Sequence, residues 1–229
     1  MILTNRNNIK KTYNFPHWEK VPEDFRPAME KIWKHAKDRK PPDENEIRRQ
    51  KIEEEKQYKQ EVYDKLIESG FYPAYMMKSE QLREKQSSIV KTVLNNLKKS
   101  VLLSGSRLAG KTTILTQIGI RIQYEDINRS VFYISTNDLY NALKNDEMLE
   151  KYLYCNFLFV DELEHPPPWK NKNIEVIDFF QKRLGNRRIT YIGSRWSMDQ
   201  LRRQDSSYYN KLADIFSDRE YMGVIELAD

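Results

Sequence analysis

From Ser100 onward the chain alternates short apolar runs with amphipathic stretches. The runs are Ser100 to Leu103, SVFYIS at 130–135, NFLFVDE at 156–162 and RITYIGS at 188–194. Each is short and bounded by polar or turn residues, which predicts a buried strand. Between them, Lys111 to Tyr124, a segment around Leu139 to Leu149, and Ile174 to Leu184 place apolar residues at helical spacing. A polar helix is expected ahead of the first strand, over Ser79 to Lys98. Strands alternating with helices signal a parallel sheet covered on both faces, so the expected fold class is α/β.

The first part of the chain, to about Ser69, follows another pattern. Prolines punctuate it at Pro16, Pro22, Pro27, Pro41 and Pro42, and aromatics stand at Phe15, Trp18, Phe25 and Trp33. The run DENEIRRQKIEEEKQYKQEVYDKLIESG follows, in which Ile47, Ile52, Val62, Leu66 and Ile67 are the few apolar points. That is a helix with one thin apolar stripe, and Gly70 is its expected C-terminal stop. Such a helix is either a solvated arm held by its own Glu and Lys pairs or a module that binds a partner. The expected organisation is a helical N-terminal partner-binding region over residues 1–67 and one catalytic domain over residues 68–229.

Composition narrows the classes. The 229 residues allow one α/β core with an appendage. A formal charge of +5 is a modest excess that is compatible with an anionic partner such as nucleic acid. Cys155 is the only cysteine, so a disulfide framework and a cysteine-rich zinc site are excluded, and a reducing, cytoplasmic setting is expected. The start MILTNRNNIKKTYNF has no apolar signal core, and no run reaches the roughly 18 to 20 apolar residues of a membrane span. A soluble protein with no membrane partner is expected.

One stretch carries chemistry in eight contiguous residues. GSRLAGKT, Gly105 to Thr112, fits G-x-x-x-x-G-K-[ST], a pattern expected by chance in about one chain of this length in a hundred. It follows a predicted strand and opens a predicted helix. Glycines at 105 and 110 let Ser106, Arg107, Leu108 and Ala109 curl so that backbone N–H groups and the helix start, with Thr113, face a phosphate. Lys111 would reach the β- and γ-phosphates, and the hydroxyl of Thr112 would hold magnesium. The alternative is a plain strand-to-helix turn that uses glycine.

The second signal is FLFVDELEH, Phe157 to His165. Two carboxylates end a buried strand, where ligands of open α/β sheets bind. Asp161 is placed to hold magnesium, directly or through water, and Glu162 to polarise an attacking water. With only His17, His35 and His165 in the chain, and no helix bearing two, a metal pair of Glu164 and His165 is disfavoured. In the third signal, RITYIGSRWSMDQL, Ser194 and Arg195 leave the strand where a polar side chain faces the γ-phosphate; a surface or nucleic-acid role for Arg195 is the alternative. Lys182, Arg183, Arg187 and Arg188, with Arg202 and Arg203, form either a groove for single-stranded DNA or a solvated face.

Phosphate loop, the segment Ser135 to Tyr140, acidic strand, polar strand end and a terminal D-R dipeptide together resemble the AAA+ helicase-loader ATPases of the DnaC and DnaI type, relatives of the IstB transposition ATPases. ESGFYPAYMMKS, Glu68 to Ser79, is similar to the segment entering that family's ATPase domain. The resemblance covers about residues 68–227. It implies an AAA+ P-loop NTPase of the ASCE type that uses ATP and Mg2+. Gly105 to Thr112 would be Walker A, Asp161 and Glu162 Walker B, Ser194 and Arg195 the sensor-1 site, and Arg219 in FSDREYM the arginine finger that reaches a neighbouring subunit. Arg195 departs from the usual asparagine or threonine. The sequence ends at GVIELAD, ahead of the basic sensor-2 residue of many relatives, so a lid contribution is expected to be missing or supplied elsewhere.

The function implied is ATP-dependent loading of a DnaB-like replicative helicase onto single-stranded DNA, by a homo-oligomeric ring or spiral formed with ATP. The alternative is a transposition regulator of the IstB or TnsC kind acting on duplex DNA. A small-molecule P-loop kinase would want an arginine-rich lid in EHPPPWKNKNIEVIDFFQKRLGN, which is short and helical instead. Abundant lysine, asparagine and tyrosine fit an AT-rich genome such as that of a phage.

Overall fold

The computed structural model describes residues 22–25, 27, 28, 31, 43–79, 81–164 and 172–227. His165, the prolines 166–168 and the aromatics Phe15, Trp18 and Trp33 lie outside the described residues. The chain divides into two compact units, Met1–Glu54 and Glu55–Asp229. In the first, a 3-10 turn at Glu23–Phe25 and the start of helix α1 (Glu44–Glu68) are described, and every described residue is exposed.

The second unit holds the core. After α1 come α2 (Pro73–Ser79), α3 (Glu84–Leu94), β1 (Ser100–Ser104), α4 (Lys111–Glu125), β2 (Val131–Ser135), α5 (Thr136–Ala142) and α6 (Asp146–Tyr154). Then follow β3 (Phe157–Asp161), α7 (Lys172–Gly185), β4 (Ile189–Ser194), α8 (Met198–Arg202), α9 (Ser207–Phe216) and β5 (Met222–Glu226). The five strands form one parallel sheet in the order β2-β3-β4-β1-β5. The α/β expectation holds, with β5 as an edge strand added beside β1.

Side-chain alternation divides the core into two layers. Leu102, Ile134, Leu158, Val160 and Ile192 face one cluster with Tyr140, Phe180, Tyr208 and Phe216. Val101, Leu103, Tyr133, Phe157, Phe159 and Tyr191 face the other, with Ile114, Leu115 and Ile118 of α4. Odd-numbered positions of β2 and β3 therefore look toward α4. That parity also sets the direction of Asp161, the last residue of β3.

Three local expectations change. The helix foreseen around Leu139 to Leu149 is two helices, because the Asn145 side chain accepts from Met148 N at 3.1 Å and caps a second start. The helix foreseen over Ser79 to Lys98 is shorter, α3 over Glu84–Leu94, with Ser79 as the last residue of α2. Of the thin stripe on α1, Val62 and Leu66 are fully buried, worth about 1.5–3 kcal/mol each. Ile47, Ile52 and Ile67 are exposed.

Gly70 stops α1 as expected. It sits at φ +94, and Phe71 N donates to Leu66 O at 3.0 Å in a Schellman closure. A Cβ there would collide with the carbonyl oxygen of Tyr133, whose N–H donates to Ser69 O at 2.9 Å.

Candidate functional site

The phosphate loop leaves β1 at Ser104 and ends where Gly110, at φ +90, caps α4. Glycine adopts that left-handed conformation without steric cost. No side chain caps α4, so the N–H groups of Lys111, Thr112 and Thr113 are those that helix geometry leaves without intrahelical partners. They point out of a helix start, the arrangement that binds phosphate. Gly105 N donates to Ser194 O at 3.2 Å, and Ala109 N to Ser106 O at 3.3 Å closes a turn over Arg107 and the fully exposed Leu108. A Cβ on Gly105 would stand 2.9 Å from Leu227 Cβ, so the loop needs glycine where it passes the chain after β5.

Lys111 Nζ donates to the carbonyls of Gly105 at 2.8 Å and Ser106 at 2.7 Å, so its ammonium lies inside the loop. Burial pulls its pKa below the ordinary lysine value. Glu164 and Asp161 oppose that shift, and Arg195 adds to it.

Asp161 is the centre of the acidic end. The parity that buries Phe157 and Phe159 against α4 turns the Asp161 side chain the same way. Its Oδ2 accepts from Thr112 Oγ1 at 2.5 Å and from the phenol of Tyr133 at 2.7 Å, while Oδ1 accepts from Glu162 N at 2.9 Å. Its carbonyl accepts from Thr136 Oγ1 at 2.8 Å. The carboxylate is only 4% exposed and is held on both oxygens. Burial, and then the charge of Asp161, push the Tyr133 phenol far above the usual tyrosine range, so it remains a donor.

Gly193 makes this carboxylate possible. Its Cβ position overlaps Asp161 Oδ1 and lies 3.1 Å from Leu115 Cδ1. Any side chain on β4 there would fill the space the carboxylate occupies.

Glu162 leaves the strand at φ 62, a left-handed conformation costing a non-glycine residue about 1–2 kcal/mol, and its side chain is exposed. The turn is tied back by Leu163 N to Gly193 O at 3.0 Å. Glu164 follows, and its Oε2 accepts from Arg195 N at 3.0 Å while Arg195 Nε lies 3.8 Å from Oε1. Ser194 is fully buried, with its Oγ accepting from Trp196 N at 3.0 Å. The hydroxyl thus shapes the turn that presents Arg195.

The structure gathers Gly105 to Thr113, Asp161, Glu162, Ser194 and Arg195 at one end of the sheet. It does not bring Arg219 there. Arg219 is exposed ahead of β5, whose first residue pairs with Ser100, and Lys99 Nζ donates to its carbonyl at 3.0 Å. The length of β1 separates it from the loop, about 17 Å at strand rise. Arg183 leaves the basic cluster altogether. It is fully buried, donating to the carbonyls of Tyr152, Leu153 and Ile189 and to Thr190 Oγ1, where it closes the end of α6.

Tyr133, Gly193, Thr136 and the Glu164 contact with Arg195 were not foreseen as parts of the site. Each depends on strand register. Among the described residues no cluster of three or more His, Cys, Asp or Glu could hold a metal by itself.

The donors fit a magnesium–nucleotide pair. A helix start without a side-chain cap and a half-buried lysine offer donors to phosphates, and a hydroxyl and a carboxylate 2.5 Å apart offer hard oxygen ligands. The sequence model described as an AAA domain matches residues 97–211. No curated protein matches the chain. Among solved structures, DnaI is similar at 18% identity and TM-score 0.55, covering 69% of this chain and 93% of that one. Domain III of the replication initiation protein DnaA from Thermotoga maritima is similar at 20% identity and TM-score 0.54, covering 69% and 68%. The replication initiator DnaA bound to AMPPCP and single-stranded DNA is similar at 20% identity and TM-score 0.53, covering 69% of this chain and 51% of that one. At these identities the likeness is one of fold, a P-loop NTPase sheet.

Proposed function

Because the chain belongs to the AAA domain family, we propose that it is an ATPase of DNA replication that binds a replicative helicase and helps place it on single-stranded DNA. One observation carries the assembly step. A single chain supplies the phosphate loop, Lys111, Asp161 and Glu162 at one end of the sheet but puts Arg219 at the other. An arginine so placed cannot reach its own loop, so it serves the site of a neighbouring copy in a ring or spiral.

The loop N–H groups and Lys111 hold the phosphates, and Thr112 and Asp161 hold Mg2+. When bound there, the metal would supply positive charge to offset that of the phosphates. Glu162 orients water for attack on the γ-phosphorus and takes its proton as the bond from the γ-phosphorus to the bridging β-phosphate oxygen breaks, leaving ADP and phosphate. Arg195, held beside the loop by Glu164, senses the γ-phosphate. Arg219 of the adjoining copy stabilises the charge that develops on the phosphoryl group, an effect worth a factor of about a thousand or more in other NTPases.

The fold likeness to DnaI and to DnaA with single-stranded DNA supports the replication setting. Residues 1–67 are the proposed helicase-binding region. Every described residue of the first unit is exposed, including Phe25, Ile47 and Ile52, as a surface awaiting a partner requires. Lys182, Arg187 and Arg188 remain exposed or half-exposed and are the candidate contacts for DNA phosphates.

The test is capture of a hexameric replicative helicase by the full-length protein with ATP, together with ATP hydrolysis stimulated by single-stranded DNA. Absence of both refutes the loader function. Capture of a transposase and preference for duplex DNA assigns the chain to the IstB or TnsC kind instead.

A further inference from the structure

The carboxylate that would hold the metal is itself held by a residue outside every phosphate-loop motif. Tyr133 lies on β2, where its neighbours Phe132 and Ile134 are ordinary strand residues. Register pairs Ser135 with Asp161 and Tyr133 with Phe159, so the phenol approaches Asp161 along the diagonal of the β2–β3 pair. That diagonal spans about 7–8 Å between backbones, a gap an aromatic side chain can bridge. The ring is fixed by Phe71, with centroids 5.2 Å apart, and by Tyr72 at 5.9 Å. Its hydroxyl ends 2.7 Å from Asp161 Oδ2.

We propose that Tyr133 is a positioning residue for the divalent cation, acting through Asp161, on the premise that the site binds Mg2+ and ATP. Thr112 and Tyr133 donate to the same carboxylate oxygen, and the Glu162 N–H holds the other. A Thr112 hydroxyl that ligates the cation through a lone pair still donates its proton, so Tyr133 is a second donor that fixes the same carboxylate oxygen from the β2 side. Tyr133 is 6% exposed, its ring is packed on two sides, and its proton is directed at the carboxylate. It therefore keeps Asp161 in one rotamer whether or not Thr112 contributes. Partners of this outer kind typically matter by about 10- to 100-fold in metal affinity.

The experiment uses the full chain and Tyr133→Phe, which keeps the ring and removes only the hydroxyl. ATP affinity is measured by calorimetry across a Mg2+ titration, and Mn2+ binding to the ATP complex by electron paramagnetic resonance. The expected result is unchanged affinity for ATP in EDTA, with about 10-fold more Mg2+ needed for half-maximal tightening and Mn2+ affinity reduced by a similar factor. Tyr133→p-aminophenylalanine, which keeps a donor at the same place, should recover most of the loss. A folded Tyr133→Phe with the Mg2+ and Mn2+ dependence of the original protein overturns the positioning role alone. Equal loss of EDTA-state and Mg2+-state affinity also overturns it, because the effect is then structural. Failure of the unaltered protein to bind ATP overturns the nucleotide function, and this inference with it.

Discussion

Replacing Gly193 with alanine tests the geometry of the acidic centre. The added Cβ overlaps Asp161 Oδ1 and stands 3.1 Å from both Asp161 Cγ and Leu115 Cδ1. Leu115 is fully buried on α4 and has little room to retreat. Asp161 must turn away, yet its two oxygens accept three hydrogen bonds, from Thr112, Tyr133 and Glu162 N. Losing one bond to a charged group costs about 1.5–3 kcal/mol. Overpacking a core independently costs about 1–3 kcal/mol. The two are alternative routes of relief, so Gly193→Ala should destabilise by about 2–3 kcal/mol. A displaced Asp161 should also weaken Mg·ATP binding at least about 10-fold while ATP binding in EDTA changes little. Urea unfolding gives the first quantity and calorimetry the second. The control is Gly185→Ala, which meets nothing within 4 Å and should be neutral or mildly stabilising. If Gly193→Ala keeps both stability and Mg2+ dependence within error, the space beside Asp161 is not what β4 preserves.

Other outcomes follow from the same geometry. Lys111→Ala removes the ammonium inside the loop and should abolish measurable ATP binding or turnover; unchanged titrations would refute its placement at the phosphates. Arg219→Ala should bind ATP as a monomer with unaltered affinity but lose about a thousandfold in assembly-dependent hydrolysis, and equal turnover at high protein concentration removes the trans role. Arg183→Met leaves the carbonyls of Tyr152, Leu153 and Ile189 without their donor and should cost about 3 kcal/mol or more. That corresponds to a fall in Tm of about 6–12 °C, read by thermal melting, and an unchanged Tm would show that water replaces the guanidinium.

The buried Arg183 shows why charge counted along a chain misleads. In sequence it belongs to a run with Lys182, Arg187 and Arg188. In the helix, position 183 turns inward toward the end of α6, while position 182 faces solvent. Carbonyl groups 30 residues away supply what a charge otherwise finds in water. The split of the segment around Leu139 to Leu149 was partly legible, because asparagine followed by two acidic residues marks a helix start. Apolar periodicity alone joined the two pieces.

The phosphate loop could be recognised from eight letters because its chemistry is local: glycine torsions, a helix start and a lysine need only neighbours in the chain. The alternation of buried strands and amphipathic helices likewise carries the α/β class, since burial period follows backbone geometry. Tertiary structure alone decided which residues meet at Asp161. Tyr133 is 28 positions away and Thr112 is 49, and both arrive through strand order, register and the packing of α4 against one face of the sheet. The same topology put Arg219 at the end of the sheet opposite the phosphate loop. Contacts of this kind have no signature in a single strand or helix, because a parallel sheet assembles its site from segments that never adjoin in sequence.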